Sequence, residues 1–402
     1  MLNFNYQYKL KLNKQQAELI DHYLNVCQKV YNYALAERKD WIKSRNSPVN
    51  SCSLISEYII PADFPYPSYN NQSNNLTKAK QIYPELKTVH SQVLQQTLRT
   101  LDLAFKDMKR KGNGFPRFKK RFKSFLFPTL SNNCLASGKI KLPKIGWVKL
   151  RQSREYPTGF IAKTARIIKK ASGYYIVICF QSKESVPDNP VGNKSIGIDA
   201  GIESFAALSN GELIKAPRFL LKVQRKLKLL QRRLKHKNKG SKNWLKLQNK
   251  IARLHEKVAN CRKDWHYKLA NKLCDLTDNI FIEDITYTSW AKGVVRKQSH
   301  DFGVGQFFNE ILPFVAWKRG KYFLKVDKNY TSQTCPNCGT LTGKKSLNNR
   351  SHFCPSCGYT ESRDIAAAKV ICQRGINAVG HTVFENVCGD VLAGTKQYDC
   401  FV

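Results

Sequence analysis

The sequence predicts a multidomain chain of mixed α/β and β class, with a small zinc module set into its second half. Three observations carry that expectation. The first half alternates polar and apolar residues in strand fashion around helical stretches. The second half runs strand, strand, strand, then helix, strand, helix, strand, helix. Within that series Cys335, Cys338, Cys354 and Cys357 form a C-x2-C-x15-C-x2-C array. Each two-residue gap turns the chain back to present both sulfurs to one ion, which suits tetrahedral zinc.

The opening element is a strand, because Phe4, Tyr6, Tyr8, Leu10 and Leu12 alternate with polar residues. Asn13 then caps a helix, with Gln16 at the capping-box position. Its apolar stripe is Leu19, Ile20, Tyr23, Leu24, Cys27, Val30, Tyr31 and Ala34. Residues 43–85 are rich in Asn, Ser and Pro and read as a loop-dominated insertion. A second helix is expected near 88–110, on Val93, Leu94, Leu98, Leu101, Leu103 and Phe105. From about 115 to 182 strands return: 139–142 and 147–150 flank a Pro143 to Gly146 turn, and 165–170 pairs with 174–181 about Ser172-Gly173. The stretch 182–194, with two prolines and a glycine, reads as the best domain boundary.

Beyond it, 195–200 and 204–209 are strands, followed by the hairpin signal Asn210-Gly211 and a short strand at 212–215. Two long helices follow, 218–235 and 242–274. A strand ends at Glu283, a helix lies near 305–319, and the strand 322–327 leads into the cysteines. That is the element order of an RNase H-like α/β domain. The tail past about 380 carries no strong pattern.

A chain of 402 residues with 42% hydrophobic content has room for two or three cored domains. Lys and Arg number 68 against 29 Asp and Glu, a net charge of +39. Like charges repel the compact state, so folding gives no reason for the imbalance, whereas a polyanionic partner does. Thirteen cysteines are present. Cys27, Cys179, Cys261, Cys274 and Cys372 sit in apolar or helical patterns and read as small core residues. This usage fits a reducing cytosol, and no signal-peptide pattern or long apolar run is seen, so a cytoplasmic location is expected.

Three acids stand out. Asp199 ends the apolar run Ile196-Gly197-Ile198, Glu283 ends Ile280-Phe281-Ile282, and Asp364 opens a helical pattern just past the cysteines. Carboxylates at strand ends suit hard divalent cations for phosphodiester cleavage. Asp284 competes with Glu283 for the second position. Only the fold could gather residues 84 and 81 positions apart. The zinc site, with four thiolates and no open coordination position, reads as structural.

Two stretches read as nucleic-acid surfaces. From Lys109 to Lys123 eight of fifteen residues are basic, Arg117, Lys119, Lys120 and Arg121 among them, interleaved with Phe115, Phe118 and Phe122. The basic heads are expected on phosphates and the phenylalanines mainly in the core. Between Arg218 and Lys263 there are 17 Lys or Arg and one acid, Glu256. A solvated helix pair normally mixes signs to gain i,i+4 pairs, so Arg225, Arg232, Lys235 and Lys246 are expected on an RNA or heteroduplex face.

Taken together these residues resemble the TnpB/OrfB proteins of bacterial transposons, relatives of the type V CRISPR effector nucleases. The resemblance lies in Val30-Tyr31-Asn32-Tyr33-Ala34-Leu35, Gly114-Phe115-Pro116-Arg117-Phe118-Lys119, Gly197-Ile198-Asp199-Ala200-Gly201, Phe281-Ile282-Glu283-Asp284-Ile285, Thr331-Ser332-Gln333-Thr334-Cys335-Pro336, and Arg363-Asp364 with the alanines after it. It implies a wedge-like β-barrel from 1–12 and 114–190, interrupted by a helical recognition insert at 13–113. It implies a RuvC-like nuclease domain from 191–330 and 361–380, a zinc ribbon at 331–360 that engages target nucleic acid, and a tail at 381–402.

The implied function is RNA-guided cleavage of DNA beside a short target-adjacent motif. Its implied cofactors are structural Zn2+, two catalytic Mg2+ ions that Mn2+ can replace, and a guide RNA from the transposon end. Double-stranded target DNA is the other partner, no membrane is involved, and one chain is expected with one RNA. The resemblance assigns the catalytic metals to Asp199, Glu283 and Asp364, preferring Glu283 to Asp284. Ala366 departs from the asparagine often found two residues after the last acid. The alternatives are a protein-only RuvC-like transposase or resolvase, and a catalytically silent RNA-guided or zinc DNA-binding regulator.

Overall fold

A computed structural model describes residues 3–46, 60–61, 63–131, 133–182, 188–290, 292, 296–346 and 349–388, with side chains as far as 380. The chain divides into two compact units, Met1–Val186 and Pro187–Val402.

In the first unit β1 (Asn3–Lys11) leads into α1 (Lys14–Asn46), and the expected capping box forms. Asn13 N donates to Gln16 Oε1 at 3.3 Å, while Gln16 N donates to Asn13 Oδ1 at 2.7 Å. The stripe from Ile20 to Leu35 is buried against α4 (Ser91–Lys111). Within the stretch 43–85 the described residues include more helix than the composition suggests. α1 runs on to Asn46, and α2 (Tyr69–Ile82) and the single turn α3 (Glu85–Thr88) follow. Ser68 caps α2 by accepting from Asn71 N, a signal masked by the surrounding Asn and Ser. The remainder of that expected loop, 47–59 and 62, lies outside the described residues. In α4, Leu103 is exposed while its other expected core positions are buried.

Seven antiparallel strands form the rest of this unit, in the order β2-β6-β7-β1-β5-β4-β3. They are β2 (Ser124–Phe127), β3 (Leu135–Ala136), β4 (Lys139–Leu142), β5 (Gly146–Arg151), β6 (Ile161–Lys170) and β7 (Gly173–Gln181), with β1 between β7 and β5. The segment before β2 is no core strand. Phe115 and Phe118 are 40% and 50% exposed, against the expectation that they are buried, and the Lys39 ammonium lies over both rings. Phe115 still sets one edge against the buried Phe105 ring, and Phe122 packs on the core, edge-on to Tyr31. Part of the expected domain boundary, 183–187, lies outside the described residues.

The second unit is built on a five-stranded sheet ordered β10-β9-β8-β11-β12. β8 (Ser195–Ala200), β9 (Ser204–Leu208) and β10 (Leu213–Lys215) are antiparallel neighbours. β11 (Asn279–Glu283) and β12 (Tyr322–Val326) run parallel to β8. Every residue of β11 is buried, as a strand covered on both faces requires. One side is covered by α6 (Lys242–Leu276) and α9 (Leu312–Lys318). The helix expected near 305–319 begins earlier and in pieces: α7 (Arg296–Phe302), α8 (Val304–Gln306), a π-helical turn at Phe307–Ile311, then α9. α5 (Phe219–Lys235) pairs with α6 as a helical hairpin.

The other side is covered by α10 (Arg363–Cys388), whose described backbone runs eight residues into the stretch read as a tail. Residues 389–402 lie outside the described residues. α10 approaches so closely that two glycines are needed. A Cβ on Gly197 of β8 would sit 2.1 Å from the Ala368 carbonyl oxygen, and one on Gly375 would sit 2.1 Å from the Phe281 ring. Between β12 and α10 the chain forms a small module with the hairpin β13 (Ser351–Phe353) and β14 (Thr360–Ser362). Of the cysteines expected in the core, Cys27 and Cys274 are buried and Cys179 and Cys372 half-buried, but Cys261 is exposed.

Candidate active site and metal centre

Strand order brings the three acids together. β8 and β11 are adjacent and parallel, so Asp199 and Glu283 leave the sheet at the same edge. α10 lies across both strands with its N-terminus at that edge, which delivers Asp364 in its first turn. All three line one cavity of about 1490 Å³. Asp284, one residue past β11, does not line it, and its largely exposed carboxylate reaches Lys325 at 3.6 Å. Ala366 is buried and contributes nothing to the lining.

The electrostatics mark a crowded cluster of like charge. Burial, then the carboxylates of Glu283 and Asp364, hold Asp199 well above the usual carboxylate range, with the Arg363 guanidinium opposing. Burial also raises Glu283, against a hydrogen bond from Thr331 and the positive charges of Arg374 and Lys328. The cavity rim is cationic: Arg218, Arg296, Lys297, Lys328, Arg350 and Arg363 contribute. Arg350 also pairs with Glu203 across the lining at 2.6 Å. Such a rim attracts a phosphodiester backbone to carboxylates that would otherwise repel it.

Sequence reasoning missed Thr331 as a site residue, although it lies in a stretch singled out for resemblance. Thr331 is buried and its hydroxyl donates to Glu283 Oε1. Only the parallel pairing of β11 with β12 places the loop after β12 beside the end of β11.

The four cysteines converge as the spacing predicts. Among the described residues they are the one group of metal-binding side chains with donor atoms all within 4.8 Å of one another. Cys335 Sγ lies 3.7 Å from Cys357 Sγ, and Cys338 Sγ lies 3.5 Å from Cys354 Sγ. Tetrahedral zinc with bonds of ~2.3 Å needs sulfurs roughly 3.8 Å apart, so the set fits that ion. The two knuckles are near copies. Gly339 N donates to the Cys335 carbonyl and Gly358 N to the Cys354 carbonyl, each at 2.9 Å. Gly339 and Gly358 take φ of 75° and 70°, which favours glycine at both turns.

The basic residues expected to meet nucleic acid are all exposed. Arg225, Arg232, Lys235 and Lys246 stand on the α5–α6 hairpin, which closes on Leu227, Leu230 and Val258. Arg117, Lys119, Lys120 and Arg121 stand on the segment before β2. That segment is held to α1, where Asn32 and Gln28 donate to the Lys119 carbonyl at 3.0 and 2.8 Å. A further cationic face was missed. Registered pairing sets Lys9 opposite Arg151, Lys11 opposite Lys149, and Lys149 opposite Lys139, with exposed Trp147 opposite Lys141. Like charges directly opposite destabilise a sheet, so this face too suits a polyanion. The signal lay in three basic-apolar-basic triplets, which the strand alternation had absorbed.

Among the described residues no helix is long and apolar enough to cross a membrane. Residues 177–292 match a family model described as "Probable transposase", of the OrfB type. Residues 306–371 match a Cas12f1-like TNB domain and residues 1–47 a helix-turn-helix domain, although α1 is a single helix here. The chain is 30% identical to "Putative RNA-guided DNA endonuclease InsQ" of Escherichia coli (strain K12), over 96% of this chain and 94% of that protein. It is 28% identical to a "Putative RNA-guided DNA endonuclease" of Streptomyces pristinaespiralis, over 98% and 92%. Its fold is similar to that of Cas12f1 solved with sgRNA and target DNA, at a TM-score of 0.53 and 15% identity, covering 90% of this chain and 83% of that one.

Proposed function

The chain belongs to the TnpB/OrfB family, and on that premise we propose that it is an RNA-guided DNA endonuclease centred on Asp199, Glu283 and Asp364. The observation that carries this reading is the gathering of these acids in one cationic cavity, with Asp199 held high by burial first and then by the other two carboxylates.

The donor set fits hard divalent cations, which take oxygen ligands, and a cation relieves the repulsion that raises Asp199. Asp199, Glu283 and Asp364 would hold two Mg2+, with Mn2+ able to substitute. The bound metals would supply an activated water and stabilise the leaving oxygen. The chain's own groups do the rest. Lys328, Arg350 and Arg363 draw the scissile backbone to the acids, and Thr331 donates a hydrogen bond to Glu283. Cys335, Cys338, Cys354 and Cys357 would hold Zn2+ with no open position, a structural role.

The same reading assigns residues 1–12 and 114–190 to a wedge-like barrel and 13–113 to a helical recognition insert. Residues 191–330 and 361–380 form the RuvC-like domain, a reading that the β10-β9-β8-β11-β12 order supports. The module at 331–360 engages target nucleic acid. One guide RNA transcribed from the transposon end binds one chain in the cytoplasm, along the cationic surfaces of each unit. Pairing with the guide supplies sequence specificity, and the protein reads a short motif beside the target.

The test is to purify the protein expressed with its flanking DNA and to sequence the RNA that co-elutes. The expected result is a defined RNA ending at the transposon boundary, whose variable end programs cleavage of a chosen duplex. RNA-free protein that cuts branched DNA unaided would select the resolvase alternative instead.

A further inference from the structure

The loop from β12 to the first zinc cysteine is tied down on both sides of a strained bend. Before the bend, Arg374 of α10 donates through Nη1 to the carbonyls of Asp327 and Asn329, at 2.9 and 2.7 Å. After it, Gln333 N and Thr334 N both donate to the Tyr330 carbonyl at 3.0 Å, closing one helical turn that delivers Cys335. Gln373 of α10 holds the knuckle through the Pro336 carbonyl at 2.6 Å. At the bend itself Tyr330 takes φ of 60°. A bulky residue pays ~1–3 kcal/mol for that region and stays there only where its surroundings fix it. The consequence is local: the chain reverses so that the next side chain, Thr331, is buried and its hydroxyl meets Glu283 Oε1.

We propose that Thr331 is the positioning residue of Glu283, and that the zinc knuckle four residues on holds Thr331 in place. This rests on the reading of Glu283 as a metal-holding carboxylate. A carboxylate torsion is broad and roughly two-fold, so a buried glutamate needs a partner to choose its orientation. With one oxygen accepting from a fixed hydroxyl, the remaining lone pairs are set in advance for a cation. The β-branched Thr suits the task because its own first torsion is stiff. Outer partners of metal-holding side chains are worth roughly 10–100-fold in metal affinity.

The test uses full-length, zinc-loaded protein without nucleic acid, and reads Mn2+ binding from the electron paramagnetic resonance of free Mn2+. Thr331→Val keeps the shape and removes the hydroxyl, Thr331→Ala removes both, and Thr331→Ser keeps the hydroxyl. The expected result is Mn2+ binding about tenfold weaker or more in Val and Ala, with Ser close to wild type and one zinc per chain in all. Cys338→Ser, which opens the knuckle, should weaken Mn2+ binding alone but add little to Thr331→Val. Wild-type Mn2+ affinity in Thr331→Val, even with a lowered melting temperature, overturns the positioning role, and full additivity with Cys338→Ser overturns the link to zinc. If Glu283→Gln binds Mn2+ as wild type does, the reading of the acid fails instead.

Discussion

Gly197 in β8 lies against Ala368 in α10 so closely that a Cβ on the glycine would stand 2.1 Å from the alanine's carbonyl oxygen. This close approach sets the site. It lets the helix rest on the strand that carries Asp199 as its penultimate residue, one turn from the helix start that carries Asp364. Ala366, Ala367 and Ala368 are all buried there, and their small size serves the same approach.

Gly197→Ala should therefore displace α10 or strain the sheet. The obstructing atom is backbone, which cannot rotate away, so the loss should reach the upper part of the ~1–3 kcal/mol usual for overpacking. Chemical denaturation checks this, and an unchanged midpoint would show that α10 is not held as described.

Replacing Asp199, Glu283 or Asp364 by Ala should lower guided cleavage by roughly a hundredfold or more each, without additivity in double variants. RNA and target binding should survive, since they rest on basic residues elsewhere. Asp284→Ala should cut nearly normally, because its exposed carboxylate does not line the cavity. Normal cleavage by Asp199→Ala would sink the catalytic assignment.

The raised Asp199 carries a definite pH signature in metal-free protein. An acid whose folded value exceeds its unfolded value of about 3.9 binds its proton more tightly when folded. Its stabilising protonated form is lost as pH rises through the folded value. Asp199→Asn should thus melt above wild type at neutral pH, with the gap closing as pH falls toward the unfolded value. Mg2+ should raise the wild-type melting temperature more than that of the variant. A variant less stable than wild type at neutral pH contradicts the burial of Asp199 among the other two acids.

On the α5–α6 hairpin, Arg225, Arg232, Lys235 and Lys246 are all exposed. Neutralising the four together should weaken nucleic-acid binding and flatten its dependence on log salt, by up to ~0.9 for each duplex phosphate no longer neutralised. Single changes should matter little. An identical slope in the quadruple variant would leave this face to solvent.

The sequence alone determined what depends on short-range chemistry. Each knuckle closes within five residues, so the spacing of Cys335, Cys338, Cys354 and Cys357 with Gly339 and Gly358 announced the cluster. The Asn13–Gln16 box and the alternation in β1 were likewise local and formed as read. Composition misled where one signal hid another. Asn- and Ser-rich residues 69–82 are a capped helix, and Phe115 and Phe118, apolar by type, lie exposed beneath a lysine.

Tertiary structure decided what depends on which strands are neighbours. The preference for Glu283 over Asp284 came from the sequence only through resemblance, whereas the buried edge of β11 separates the two physically. The lysine ladder on β1, β4 and β5 exists only because of cross-strand register. Thr331 meets Glu283 across 48 residues of chain because β12 pairs in parallel with β11 and Tyr330 reverses the loop beyond it. Residue types and spacings fix which groups are present and how they bind locally. Long-range strand pairing and close helix packing fix which of them meet, and neither leaves a pattern within a short stretch of sequence.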